Sequence, residues 1–231
     1  MLTIQGMCIQ RGNQQQSFAV SLPALSLQAG EIAALTGPSG CGKSTLLEMI
    51  GLILQPNALE LYQLGREQND ITQDVLTDNQ RALAGLRAQK LGFVLQNGGL
   101  LPYLTVWQNI QLPRQMLGLP AKSTWLEKAI SHLQLIPLLH HYPRQLSIGE
   151  RQRVAFVRAI AHEPALLLAD EPTAALDPHN AQILFSLIVE MVKSLQLSAL
   201  IVSHDWSLVE QFQLKRYQAE LAGGGSVFLN Q

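Results

Sequence analysis

Three features of this sequence predict an α/β fold built on a buried, mostly parallel sheet. Short apolar runs at Glu31–Leu35, Leu91–Leu95, Ala165–Ala169 and Ala199–Ser203 alternate with helix-like stretches. That is the pattern of strands covered on both faces. The first run ends in a glycine-rich loop that leads into a helical pattern, as at the start of an α/β unit. The chain is 231 residues long, 47% hydrophobic and only 14% charged, enough for a sizeable core without disulfide or metal staples.

Composition narrows the classes further. A net charge of −1 argues against a broad nucleic-acid patch. Two cysteines, Cys8 and Cys41, are too few for a disulfide framework. No apolar run is long enough to span a bilayer, and residues 1–30 do not have the layout of a secretory leader. The mean hydropathy of +0.12 is high and predicts an exposed apolar patch that meets a partner.

The elements follow in order. Met1–Ile9 alternates like a strand, Gln10–Ser17 is polar and predicts a turn whose glutamines are solvated, and Phe18–Leu27 alternates again. Glu31–Leu35 predicts a strand and Lys43–Leu54 a helix, while Ser26–Gly30 and Gln55–Gly65 have hairpin character. Helical periodicity marks Asp78–Gln89 and Ser123–Leu139, with Ser123 as a cap; Pro102, Pro113, Pro120 and Pro137 cut the region into short pieces. A helix is predicted from Ile148 to about His162 and another over Pro178–Leu195. Gly223–Gly225 predicts a turn before a last strand, Val227–Leu229.

The loop Gly37-Pro38-Ser39-Gly40-Cys41-Gly42-Lys43-Ser44-Thr45 fits G-x-x-x-x-G-K-[ST], with a strand before it and a helix after it. Glycines let backbone N–H groups turn inward around phosphate oxygens, and the helix adds its positive end. Lys43 is placed to reach the β/γ-phosphates and Ser44 to ligate Mg²⁺. Cys41 fills a variable slot of the loop near a helix N-terminus, which predicts a reactive thiol; Cys8 is expected to be a small buried residue.

The run Ala165–Ala169 ends in Asp170-Glu171. Parallel strands carry their chemistry at this end. Asp170 is placed to hold Mg²⁺ and Glu171 to orient or deprotonate an attacking water; the plain alternative is a helix cap before Pro172. His132, His140, His141, His162 and His179 show no metal-ligand spacing and are expected in surface or capping roles.

Together these motifs resemble the nucleotide-binding domain of ABC transporters. Leu146-Ser147-Ile148-Gly149-Glu150 is similar to the family signature LSGGQ and continues with Arg151-Gln152-Arg153-Val154-Ala155. Ala174-Ala175-Leu176-Asp177 resembles the D-loop, His204 the switch histidine, and Gln96 the Q-loop glutamine. The resemblance runs from about residue 2 to residue 229 and implies one domain, 1–231. It implies a P-loop ATPase core, a small antiparallel β subdomain, and an inserted helical subdomain at about 97–160. It also implies catalytic roles for Glu171, His204 and Gln96, Mg²⁺ contacts by Ser44, Asp170 and Gln96, and ATP contacts by Ser147 and Gly149 from a second subunit. Each chain carries one copy of each motif, so the resemblance implies a head-to-tail homodimer or paired cassette around two ATP-Mg²⁺.

Two positions depart from the family pattern. Ile148 stands where glycine is usual, and a β-branched side chain disfavours positive φ and close backbone approach. The aromatic that usually stacks on adenine is missing near Arg11, with none before Phe18. Arg11 is the candidate platform through its guanidinium plane, a solvated turn residue being the alternative.

Leu91–Gln96, Leu100-Leu101-Pro102 and Leu104–Ile110 are similar to one branch of the family. It is the lipoprotein-releasing, macrolide-export and cell-division group that works with FtsX-like permeases. This implies a peripheral subunit on the cytoplasmic face of the inner membrane, driving export or extraction. The permease contact is expected on Leu100–Trp107, with Leu104 and Val106 read as core and Tyr103 and Trp107 as either core or interface anchors. Competing readings are a soluble or regulatory ABC ATPase, a cassette that binds nucleotide without turnover, and a mechanically coupled ATPase of the cell-division type. A repair ATPase would carry a long coiled-coil insertion and a translation factor a second cassette; neither is seen here.

Overall fold

The structure is a computed structural model that describes residues 1–13, 16–96 and 98–231. Its elements are β1 (Leu2–Asn13), β2 (Gln16–Leu27), β3 (Ile32–Thr36), α1 (Lys43–Ile50), β4 (Leu61–Leu64), β5 (Asn69–Asp70), α2 (Thr72–Leu76), α3 (Gln80–Lys90) and β6 (Leu91–Val94). After these come α4 (Val106–Met116), α5 (Thr124–His132), α6 (Ile148–Ile160), β7 (Leu166–Asp170), α7 (Pro178–Leu195), β8 (Ser198–Val202), α8 (Trp206–Gln211), β9 (Lys215–Ala222) and β10 (Gly225–Asn230). Short 3₁₀ segments cover Ile136–Leu138 and Pro143–Gln145.

One ten-stranded sheet runs β5-β4-β1-β2-β10-β9-β3-β8-β7-β6. The apolar strands predicted from sequence form its parallel part, β3-β8-β7-β6. The antiparallel strands β5-β4-β1-β2 are continuous with it, because the β9–β10 hairpin bridges them: β10 runs parallel to β2, and β9 parallel to β3.

Alternation along the central strands feeds two cores. Leu166, Leu168, Leu200 and Val202 point to a core with α1 and the β1–β2 hairpin. Leu167, Ala169, Ala199 and Ile201 point to the opposite core with α4–α7. Burial on both faces explains why these strands read as apolar runs without alternation. In β1 the buried positions shift from Leu2 and Ile4 to Met7 and Ile9. The break is Gly6, at φ 62, in the register where β2 has Pro23.

Several expectations need correction. The polar stretch Gln10–Ser17 is mostly strand, with Arg11 paired to Phe18; Gln14 and Gln15, expected as solvated surface, lie outside the described residues. The first helix stops at Ile50 instead of Leu54, since Leu52 takes a left-handed φ of 59°. The helix from Ser123 is capped as expected, Ser123 accepting from the Leu126 N–H, but it ends at His132, and Gln134 turns left-handed at φ 56°. Pro113 does not cut the chain: it lies inside α4, whose Thr105–Gln108 capping box and buried Val106 and Ile110 hold the helix. Tertiary packing here outweighs a local breaker. Strand β9 and helix α8 were not predicted.

The cysteines and one histidine also differ from expectation. Cys41 is only 2% exposed, so a thiol reagent reaches it only if the loop opens. Cys8 is half-buried and accepts from the Ser21 hydroxyl at 3.2 Å. His162 is buried, its Nε2 3.0 Å from the Leu91 carbonyl, where it ties α6 to β6.

Burial pushes the His162 imidazole below its usual range, with the Arg114 charge adding to this; the Leu91 hydrogen bond and Glu163 oppose it. The unfolded chain therefore takes up this proton first, and the contribution is complete above pH ~6.5 and lost as pH falls through the folded value. His162→Gln is expected to flatten the loss of stability between pH 7 and pH 5 in urea titrations; an unchanged slope would contradict this assignment. Helix α6 supplies a second prediction. Ser147 accepts from the Glu150 N–H at 3.2 Å, and the Glu150 carboxylate accepts from the Ser147 N–H at 2.7 Å. Ser147→Ala should cost about 0.5–2 kcal/mol and Ser147→Gly only a few tenths in the same titration. Equal losses would show that the cap is not what stabilises this helix.

Candidate functional site

The glycine-rich loop joins the C-terminal end of β3 to the N-terminus of α1. Gly42 is the N-cap of α1 at φ 91°, and a Cβ there would stand 2.5 Å from Val20 Cγ2. Only glycine fits both the left-handed backbone and that contact. Pro38, Ser39 and Gly40 are exposed, while Gly37 and Cys41 are buried. Lys43 is 6% exposed, and its Nζ donates to the carbonyls of Gly37 at 3.0 Å and Pro38 at 2.9 Å. Ser44 is exposed and donates to Asp170 Oδ2 at 3.4 Å, so the loop and the end of β7 meet; Thr45 is half-buried beside them.

Neither acidic residue caps a helix. Asp170 ends β7, and Asp177 is the residue that caps α7, accepting from the Asn180 N–H at 3.1 Å. Burial raises the Asp170 carboxyl above its usual range and the neighbouring Glu171 charge adds to this, against Ser44, Lys43 and His204. Glu171 takes a left-handed φ of 46°, unusual for a non-glycine residue, and its N–H donates to the Val202 carbonyl at 3.1 Å. That bond ties the turn after β7 to the end of β8. His204 follows β8, and its Nε2 lies 2.8 Å from Glu171 Oε1. Gln96 follows β6, and its Nε2 donates to Glu171 Oε2 at 3.4 Å. Three adjacent strand ends thus bring Gln96, Glu171 and His204 together.

Gln152, part of the run that continues the signature, makes a contact that its sequence position does not foretell. It is 4% exposed on α6, and its Nε2 donates to the Gln96 carbonyl at 2.7 Å. Arg158, farther along α6, donates to the carbonyls of Gly98 at 2.8 Å and Gly99 at 2.7 Å. One face of α6 therefore holds the loop that carries Gln96. Spacing does not single out either residue, because α6 also carries Glu150, Arg151 and Arg153.

The remaining predicted residues lie apart. Ser147 caps α6 with its side chain exposed, and Gly149 sits in the first turn. They line a cleft of about 570 Å³ with Ile148, Leu176, Asp177 and Ile183. Among the described residues, no hydrogen bond joins Ser147 or Gly149 to residues 37–45. Ile148 is the first helical residue of α6, has no positive φ, and is 45% exposed, so its β-branch meets no backbone strain. Arg11 is exposed in the β1–β2 hairpin, opposite Phe18. Two residues along, the Ile9–Val20 pair lies on the same face, and Val20 is the side chain against Gly42.

Comparison with known proteins fits this arrangement. A family model described as "ABC transporter" matches residues 22–174. The chain is 41% identical over 186 residues to a lipoprotein-releasing system ATP-binding protein, LolD 2, of Rhodopseudomonas palustris, covering 80% of this chain and 77% of that protein. It is 40% identical over 190 residues to LolD of Legionella pneumophila, covering 81% and 80%. Among solved structures, the ATP-binding cassette MJ0796, dimeric in a post-hydrolysis state with ADP and Pi, superposes with a TM-score of 0.78 at 27% identity, covering 100% of this chain and 98% of that one. The cbiO1 protein of Clostridium perfringens shares the fold, with a TM-score of 0.80 at 24% identity. The chain belongs to the ABC transporter family and is an ATP-binding, ATP-hydrolysing subunit.

Proposed function

We propose that two copies of this chain, or this chain and a paired cassette, close head to tail around two ATP molecules and drive a membrane permease of the lipoprotein-releasing type. The observation that carries the catalytic part is the Glu171 carboxylate, held by His204 at 2.8 Å and Gln96 at 3.4 Å beside the phosphate loop. In this reading residues 37–45 wrap the phosphates, and Lys43 exchanges the Gly37 and Pro38 carbonyls for phosphate oxygens. Glu171 takes a proton from the attacking water, whose oxygen bonds to the γ-phosphorus as the bond to ADP breaks. His204 keeps the carboxylate oriented, and Gln96 senses the same water from the other side.

The donors Ser44, Asp170 and Gln96 are all oxygen ligands, which suits Mg²⁺. Ser44, Asp170 and Gln96 would hold the cation, which would supply positive charge to the transferring phosphoryl group.

The exposed tip of α6 offers its free N–H groups and positive dipole end to a nucleotide on the other subunit, through Ser147 and Gly149. Arg11 and Phe18, on the hairpin face that Val20 presents to the loop, are the residues positioned to stack on adenine.

The permease contact lies around Leu100–Trp107. Val106 is fully buried and Leu104 half-buried, whereas Tyr103 is 70% exposed and the preceding Leu95 53% exposed. An exposed aromatic beside a packed helix start is a suitable anchor for a partner helix. Among the described residues no helix is long and apolar enough to cross a membrane.

Glu171→Gln is expected to lower ATP turnover by about 10²–10⁴-fold while ATP binding persists, as measured by phosphate release and nucleotide titration. Appreciable hydrolysis by this variant would place the base elsewhere. Purified from solubilised membranes with ATP-Mg²⁺, the same variant should bring down an integral membrane protein with a periplasmic domain. Recovery of soluble partners alone would favour a regulatory ATPase.

A further inference from the structure

The C-terminal hairpin reaches the phosphate loop from beneath. On β9, Ala219 Cβ lies 2.7 Å from where a Cβ on Gly37 would stand. On β10, Ser226 is 1% exposed, and its Oγ donates to the Cys41 carbonyl at 2.6 Å. Ser226 is in register with Val20 of β2, the residue against Gly42. Strands β2 and β10 therefore form the floor of the loop.

The Cys41–Gly42 peptide is planar, and no cis bond occurs among the described residues. Its carbonyl and its N–H then point in opposite directions. The Ser226 hydroxyl draws the Cys41 carbonyl down into the sheet. The Gly42 N–H must point away from it, toward the open side of the loop. Among the described residues that N–H donates to no protein acceptor. Sterics alone do not hold this orientation: a flip of the peptide turns ψ of Cys41 and φ of Gly42, and glycine tolerates the change.

We infer that Ser226 is a positioning residue for nucleotide binding, fixing the Cys41–Gly42 peptide from the last strand so that the Gly42 N–H faces the phosphate oxygens. The inference rests on the reading of residues 37–45 as the ATP site. It adds to that reading a determinant outside the loop, in a hairpin that the sequence marked only as a turn and a short strand. A buried hydroxyl pairing with one loop carbonyl affects every nucleotide with the same phosphates, whatever its base.

The test is ADP-Mg²⁺ binding by titration calorimetry on the full chain, comparing wild type, Ser226→Ala and Ser226→Cys, with unfolding midpoints taken without nucleotide. Measurable wild-type binding tests the site itself; the ratio of variant to wild type tests Ser226. Ser226→Ala should weaken ADP about tenfold, the size of one lost buried hydrogen bond. Ser226→Cys, a weaker donor of similar shape, should fall between the two. GDP should show the same ratio as ADP. In amide spectra, the nucleotide-induced shift of Gly42 should shrink with the affinity. Wild-type affinity in both variants overturns the inference, whatever happens to the midpoint. If Ser226→Ala does not fold, wild-type affinity in Ser226→Cys overturns it alone.

Discussion

Both oxygens of the Glu171 carboxylate have partners, His204 on one and Gln96 on the other, and the rest of the site is arranged around that fact. The three residues come from three separate stretches of sequence. They meet because β6, β7 and β8 lie side by side, in parallel, with matched ends. The Glu171 backbone is held by Val202 in a conformation a glutamate rarely takes. The sheet register is therefore a condition of the chemistry as well as of stability. A slip of one residue in any of these strands would turn each side chain to the other face.

In the proposed dimer, the second chain completes the site. Within one chain the signature residues cap α6 and face a cleft of their own, without a hydrogen bond to the loop that wraps phosphate. The same helix, through Gln152 and Arg158, grips the loop carrying Gln96. Whatever the tip of α6 meets is thus linked by direct bonds to a residue touching Glu171. In the proposed head-to-tail dimer, this helix would tie the state of one nucleotide to the geometry around the other.

The parallel core was legible because its strands are buried on both faces, which leaves runs such as Leu166-Leu167-Leu168-Ala169 with no polar interruption. The phosphate loop was legible because its glycines are each required by backbone geometry. Strand β9 was not, since Lys215-Arg216-Tyr217-Gln218 lacks both an apolar run and a clear alternation, and its place is set by pairing with β3 and β10. Pro113 misled for a related reason: a local breaker is overruled when the helix around it is capped and packed. Residues that act through a partner's backbone, Gln152 and Ser226, leave no spacing signal, because their meaning lies in contacts 56 and 185 residues away.

The claim that the site is completed by a second copy is tested most directly by mixing two inactive variants, Lys43→Ala and Ser147→Arg, and measuring ATP hydrolysis. Each variant alone spoils both composite sites of its own dimer. A mixed dimer retains one site with an intact loop from one chain and an intact signature from the other. The account predicts that activity appears on mixing and follows the abundance of mixed dimers. Mixtures as inactive as either variant alone, at every ratio and with mixed dimers present, would contradict it.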